Sequence, residues 1–253
     1  MTKIALITGA TSGIGRACAY TFAKNNHDLI ITGRRKDRLE QISKELISAY
    51  GINVLPLAFD IRNKSEVVDA ISSLSDKWQQ IDILINNAGL AVGLNTIQNG
   101  ETDDWDRMID TNIKGLLYIS RSVLPFFVKH KKGHIINIGS IAGKEVYLNG
   151  NVYCATKHAV DAITKAMRIE LVLDGIKVTQ IAPGAIETEF SMVRFKGDSE
   201  KANKVYNGYE PLNPEDIANT AYYVTTLPKH ININDLVIMP TAQASATIFN
   251  KNS

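Results

Sequence analysis

Short apolar runs and longer amphipathic ones alternate along this chain, and few folds can use that order. The apolar runs fall at residues 3–8, 29–32, 53–59, 81–86, 133–138, 177–181 and 235–239. They are rich in Ile, Leu and Val, and most stop at Gly, Asn or Pro, as buried parallel strands do. Between them lie helical patterns at 13–26, 36–50, 64–78, 102–129, 151–173 and 214–226. Leu39, Ile42, Leu46 and Ile47 form one apolar stripe on the second of these. Asn63-Lys64-Ser65-Glu66 reads as an N-cap with a reciprocal acid three residues on. Asn213-Pro214-Glu215-Asp216 supplies a cap, a first-turn Pro and first-turn acids. The long 102–129 pattern is expected to bend near Asn112 and Gly115. The alternation predicts an α/β fold, a doubly wound parallel sheet of about seven strands with helices on both faces. A length of 253 residues, without repeat or linker, suits one domain spanning 1–253.

Two stretches break the pattern. Residues 183–209 lack periodicity and carry Gly184, Gly197 and Gly208 among many charges. So long a loop in a compact domain is expected to be a substrate lid. The tail at 240–253 is mostly small and uncharged, and is expected to pack between subunits. Composition narrows the function. Lys and Arg number 28 against 26 Asp and Glu, so nothing in the whole-chain charge favours nucleic acid or an anionic membrane. Two Cys build no disulfide framework, and the five His form no metal-ligand spacing, so no metal is expected. The charge-free run at 83–100 contains Asn86, Asn87, Asn95 and Asn99, which would be costly in lipid. Residues 1–3 run directly into Ile4-Ala5-Leu6-Ile7, too short an apolar run for a leader. A cytoplasmic enzyme or binding protein is the expectation.

The first strand ends in Thr8-Gly9-Ala10-Thr11-Ser12-Gly13-Ile14-Gly15 and feeds a helix. Glycines there permit positive φ and close backbone approach to a pyrophosphate, while the helix start offers free N–H groups. The Gly-x-x-x-Gly-x-Gly spacing differs from the usual Gly-x-Gly-x-x-Gly; it reads as the dinucleotide cradle of a Rossmann-type fold, with an ordinary Gly-rich turn as the alternative. An acid after the second strand would bind a ribose 2′-hydroxyl, but here Gly33 is followed by Arg34 and Arg35. Two guanidiniums favour a 2′-phosphate, hence NADP(H) over NAD(H).

Tyr153 and Lys157 are i and i+4 on one helix face. A phenol with a reference pKa of about 10 is a poor acid–base unless a nearby cation lowers it. Ser140 follows the fifth strand, Asn112 lies in a helix, and Asn86-Asn87-Ala88-Gly89 ends the fourth strand. All point to the C-terminal edge of the sheet, where ligands bind in such folds.

With the glycine turn, these residues resemble the short-chain dehydrogenase/reductase family over essentially the whole chain. The resemblance implies roles by position. Tyr153 would be the general acid–base, and Lys157 would hold the nicotinamide ribose and lower the Tyr153 pKa. Ser140 would hydrogen-bond the reacting oxygen, and Asn112 would hold a relay water through its backbone. Asn87, with Ala88 and Gly89, would line the cofactor site; Asp60 and Ile61 would meet the adenine. Pro183, Gly184, Ile186 and Thr188 would lie over the nicotinamide, Thr188 bonding its carboxamide. Gly139-Ser140-Ile141-Ala142-Gly143 is not a nucleophile elbow, which argues against a serine hydrolase.

Three later segments narrow the resemblance: Glu189-Phe190-Ser191 with Arg194-Phe195-Lys196-Gly197-Asp198, Leu227-Pro228 with residues 230–234, and residues 238–245. They are similar to NADP-dependent 3-hydroxy acid dehydrogenases, which implies a substrate such as serine, allo-threonine or 3-hydroxypropionate, and a homotetramer. Reduction of a small anionic aldehyde such as a sulfonated one, reduction of a longer carbonyl, and a non-catalytic NADP(H)-binding role stand as alternatives. A pocket closed by Phe190 and Phe195 would disfavour long substrates. For the substrate's anion, Arg194 is the first candidate and Lys144 the second.

Overall fold

The computed structural model describes residues 2–251. Seven strands, β1 (Ile4–Thr8), β2 (Asp28–Gly33), β3 (Val54–Ala58), β4 (Ile81–Asn86), β5 (Gly133–Ile138), β6 (Ile176–Pro183) and β7 (Asp235–Ile238), form one sheet in the order β3-β2-β1-β4-β5-β6-β7. Every pairing is parallel. Helices α1 (Gly13–Lys24), α2 (Lys36–Tyr50), α3 (Lys64–Ser72), α4 (Thr102–Ile109), α5 (Leu116–His130), α6 (Asn151–Glu170), α7 (Phe190–Arg194), α8 (Ser199–Lys204) and α9 (Pro214–Thr226) connect them.

The apolar runs form strands because the sheet is covered on both faces, and alternate residues feed two cores. Ile7, Ile31, Ile85 and Ile136 pack with Phe22 of α1, Leu46 of α2 and Val224 of α9. Their neighbours Leu6, Ile30, Leu84 and Ile135 pack with Ile71 of α3, Phe127 of α5 and Met167 of α6. An exposed strand face would have shown polar residues at every second position. The α9 start carries the expected cap, and it is reciprocal, Asn213 accepting from Asp216 N and Asp216 accepting from Asn213 N.

Three helical patterns are shorter or more broken than their periodicity predicts. The 64–78 pattern stops at Ser72, where Ser72 and Ser73 donate to the Asp69 and Ala70 carbonyls in place of a continuing ladder. The 151–173 pattern leaves the α-helix at Glu170 and closes in a 3₁₀ turn, Val172–Asp174, before Gly175 at φ 69°. The expected bend in 102–129 is a π-helical turn, Asp110–Gly115, between α4 and α5. Its extra residue turns Asn112 inward, a device common at functional sites.

The aperiodic stretch 183–209 contains α7 and α8 and lies over the C-terminal ends of the strands. Within its own chain the tail is held at several points. Gln243 Oε1 accepts from Ala185 N at 2.7 Å, Ala246 N donates to Glu145, and Phe249 stacks on Tyr209.

Candidate active site

A cleft of about 540 Å³ opens along the C-terminal edge of the sheet. Its centre is the switch point between β1 and β4, where the chain's winding reverses. Every site residue expected from the sequence lines it except Gly15, Asn112, Lys144 and Phe195.

The glycine turn is shaped as a cradle. Gly9 and Gly13 hold φ values of 67° and 50°, where side chains are rare. A Cβ on Gly15 would lie 2.4 Å from both Asn87 Nδ2 and the Gly9 carbonyl. Ser12 precedes α1 without capping it through its side chain, so the first-turn N–H groups remain available at the cleft. Asn87 fastens the turn: its Nδ2 donates to Thr8 O at 2.8 Å and Gly9 O at 3.3 Å. Thr8 Oγ1 accepts in return from Asn87 N and Ala88 N, both at 3.0 Å. A pyrophosphate fits this cradle, with Gly9, Thr11, Ser12, Gly13 and Ile14 around it. Further along the cleft, Asp60 grips Arg62 through both oxygens. Burial pushes the Asp60 carboxyl up, but Arg62 and the charge of Arg34 outweigh it and hold it below the usual range.

At the other end stand Ser140, Tyr153 and Lys157. Ser140 Oγ accepts from Ala142 N, aligning the turn after β5. Burial pushes the Tyr153 phenol up, and the Arg194 guanidinium and a hydrogen bond with Ser140 pull it back. The sequence predicted that Lys157 would lower Tyr153. In this structure Lys157 Nζ donates to Ile138 O at 2.9 Å, and burial brings its own pKa down to about 8. Arg194 is a second cation beside Tyr153; its guanidinium lies 5.0 Å from the ring centroid.

Asn112 acts here through its side chain. Oδ1 accepts from Leu90 N, while Nδ2 donates to Leu90 O and Thr156 Oγ1. The π-turn thereby ties the loop after β4 to α6, directly behind Tyr153. Arg194 is held by Tyr147, to whose hydroxyl Nη2 donates at 2.7 Å. Phe190 packs on Tyr153 with ring centroids 5.6 Å apart, but Phe195 does not line the cleft, so only half of the expected aromatic closure is present. Lys144 does not line this cleft. Its ammonium donates to Asp161 and Asp235, and with burial opposing, hydrogen bonds from Lys144, Lys165 and Gln180 bring Asp161 down to about 2.

Tyr147, Thr156, Glu189, Tyr206 and Gln243 were not foreseen as site residues. Tyr147 lies three positions after the candidate Lys144, so its ring was a visible signal. Gln243 had none, since its partner Ala185 is 58 positions away.

Burial of Lys157 has a consequence for stability. Its folded pKa of about 8 lies below its ordinary 10.5. Between those values the unfolded chain binds a proton that the native chain lacks, so this group makes stability rise with pH. In chemical denaturation, wild type should gain on Lys157→Met between about pH 7.5 and about pH 10, by at most about 3 kcal/mol. A difference that stays flat over that window would contradict the assignment.

A family model described as short chain dehydrogenase matches residues 3–199. The chain is 48% identical over 244 residues to an NADP-dependent 3-hydroxy acid dehydrogenase of Salmonella typhi, covering 96% of this chain and 97% of the relative. It is 44% identical over 245 residues to an NADP-dependent 3-hydroxy acid dehydrogenase of Schizosaccharomyces pombe, covering 96% and 95%. The closed form of a serine dehydrogenase complexed with NADP⁺ matches with a TM-score of 0.93 and 44% identity, over 99% of this chain and 100% of that one. On its glycine turn, its sheet order and these likenesses, the chain belongs to the short-chain dehydrogenase family.

Proposed function

We propose that this chain is an NADP-dependent oxidoreductase acting on a small 3-hydroxy acid of the serine, allo-threonine or 3-hydroxypropionate type, or on the matching carbonyl. The observation that carries the substrate class is Arg194. Its guanidinium is anchored by Tyr147 beside Tyr153, and its Nε is buried without a protein partner. A buried donor left open is costly, and a carboxylate a few ångströms from the reacting carbon would satisfy it. The two dehydrogenases named for 3-hydroxy acids and the serine dehydrogenase support the same reading.

The chemistry divides among the residues on the page. NADP, when bound, supplies the hydride acceptor for oxidation and the hydride donor for reduction. The Gly9–Gly15 turn and the α1 start would hold its pyrophosphate, Arg34 its 2′-phosphate, and Thr188 with Pro183 and Gly184 its nicotinamide end. In oxidation, Tyr153 Oη takes the proton of the substrate hydroxyl; in reduction it returns that proton to the oxygen. Ser140 donates to that oxygen and holds it against Tyr153. Lys157, buried on the same helix face, adds positive charge that favours the phenolate. Phe190 covers Tyr153 and excludes water from the transfer.

The assembly we infer is a homotetramer working in the cytoplasm. Ile169, Val172 and Leu173 at the end of α6 are exposed at 75%, 65% and 91%, an apolar edge suited to a second copy. Cys18 and Cys154 are both free and buried, which suits a reducing compartment. Among the described residues no helix is long and apolar enough to cross a membrane.

Two measurements test these readings. Arg194→Met should raise KM for 3-hydroxy acids by at least roughly tenfold and spare KM for NADP⁺; an uncharged alcohol of similar size should keep its KM and lose only kcat, because the Tyr153 phenol loses the Arg194 charge. Equal rises in KM for charged and uncharged substrates would mean that Arg194 shapes the lid without reading charge. Light scattering at micromolar concentration should give four times the chain mass, and a monomer would refute the assembly.

A further inference from the structure

The adenine end of the cleft contains a carboxylate that the reaction does not use. Glu189 lies between Thr188 and α7, facing the arginines that follow β2. Its Oε2 accepts from Arg35 Nη1 at 3.1 Å and its Oε1 from Arg38 Nη1 at 3.0 Å. Burial pushes its carboxyl up, but the Arg38 and Arg35 hydrogen bonds hold it below the ordinary range.

Arg35 is nearly used up. A guanidinium has five N–H donors. Nε and Nη2 both donate to Thr11 Oγ1, Nη2 also donates to Ser12 Oγ, and Nη1 donates to Glu189, which leaves one. Arg34, by contrast, has no hydrogen-bond or ion-pair partner among the described residues, and it lines the cleft. The two arginines that read alike in the sequence therefore differ. Arg34 is open to a 2′-phosphate; Arg35 accepts one in bidentate fashion only by giving up a partner. Thr11 and Ser12 are neutral and belong to the cradle. Glu189 is the anionic partner, and a phosphate dianion on the same guanidinium would repel it.

We propose that Glu189 is a specificity-determining residue for the cofactor: its carboxylate occupies Arg35 and Arg38, and a 2′-phosphate must displace it to engage them. The proposal rests on NADP being the cofactor and deepens that reading. Its consequence reaches the substrate end. Glu189 adjoins α7, which carries Phe190 and Arg194. Displacing Glu189 frees the adenine edge of α7 while Arg194 O still accepts from Gly93 N and Lys196 still pairs with Glu101. The 2′-phosphate is thus read twice, by Arg34 directly and by release of this edge, and NAD, which lacks it, leaves the contact closed.

The test uses the adenine half of the cofactor alone, so that hydride chemistry plays no part. Titration calorimetry would compare 2′,5′-ADP, which carries the 2′-phosphate, with 5′-AMP, which does not, on wild type and Glu189→Gln at one salt concentration. Glu189→Gln should bind 2′,5′-ADP roughly tenfold more tightly, as expected when one like charge a few ångströms from a dianion is removed, and 5′-AMP unchanged. Hydrogen exchange should show residues 190–195 opening in wild type when 2′,5′-ADP binds, staying unchanged with 5′-AMP, and already open in Glu189→Gln. Unchanged or weaker 2′,5′-ADP binding, an equal gain for both ligands, or protection of 190–195 would overturn the proposal while leaving NADP as cofactor. If wild type binds 2′,5′-ADP no more tightly than 5′-AMP, the cofactor reading falls and the proposal with it.

Discussion

The junction between Thr8 and Asn87 holds the two halves of the sheet to one geometry. β1 and β4 are neighbours in space but 72 positions lie between Thr8 and Ile81, so nothing in the local chain forces their ends into register. Reciprocal bonds do: Asn87 Nδ2 to the Thr8 and Gly9 carbonyls, and Thr8 Oγ1 to the Asn87 and Ala88 amides. Gly15 completes the fit, because a methyl group there would fall on both Asn87 and Gly9. The glycine cradle, the α1 start and the loop leading to Leu90 all take their places from this contact. A leucine or alanine at position 87 would leave buried carbonyls open at the spot where the cleft needs its floor.

The electrostatics of the catalytic end follow from burial. Tyr153 and Lys157 are 8% and 7% exposed, and burial opposes the charged form of each. A phenol that must reach phenolate therefore needs positive charge fixed nearby. The structure supplies it from the lid as well as from the helix: Arg194 stands over the Tyr153 ring, anchored by Tyr147 and flanked by Phe190. On the proposed function, the residue that would read the substrate's anion would also tune the residue that would move its proton.

The sheet was legible because its strands are buried on both faces, so each is an unbroken apolar run such as Ile4-Ala5-Leu6-Ile7. The α9 cap was legible because its signal is local. What escaped was set by competition or by distance. Serines 72 and 73 end α3 by bonding back to the helix, which periodicity does not register. The bend near Asn112 was foreseen, but not its form as a π-turn, where Gly115 approaches Ile61 too closely for a side chain. Lys144 looked like a substrate contact from its place after Ser140. Its partners, Asp161 and Asp235, are 17 and 91 positions away, and only the fold brings them together. Phe195 has the residue type but not the position to close the pocket. Arg34 and Arg35 are adjacent and alike in sequence, and only the fold, which brings Thr11, Ser12 and Glu189 to Arg35, tells them apart.

The central claim is that Tyr153 moves the proton in a cleft assembled independently of it. The direct measurement is turnover of a 3-hydroxy acid together with NADPH affinity, by fluorescence titration, in wild type and Tyr153→Phe. The substitution removes one oxygen and leaves the ring that packs on Phe190. Turnover should fall by about 10²–10⁴-fold, the usual worth of a general acid–base, with NADPH affinity within a few-fold of wild type. Retained turnover in Tyr153→Phe, with NADPH still bound, would contradict the account.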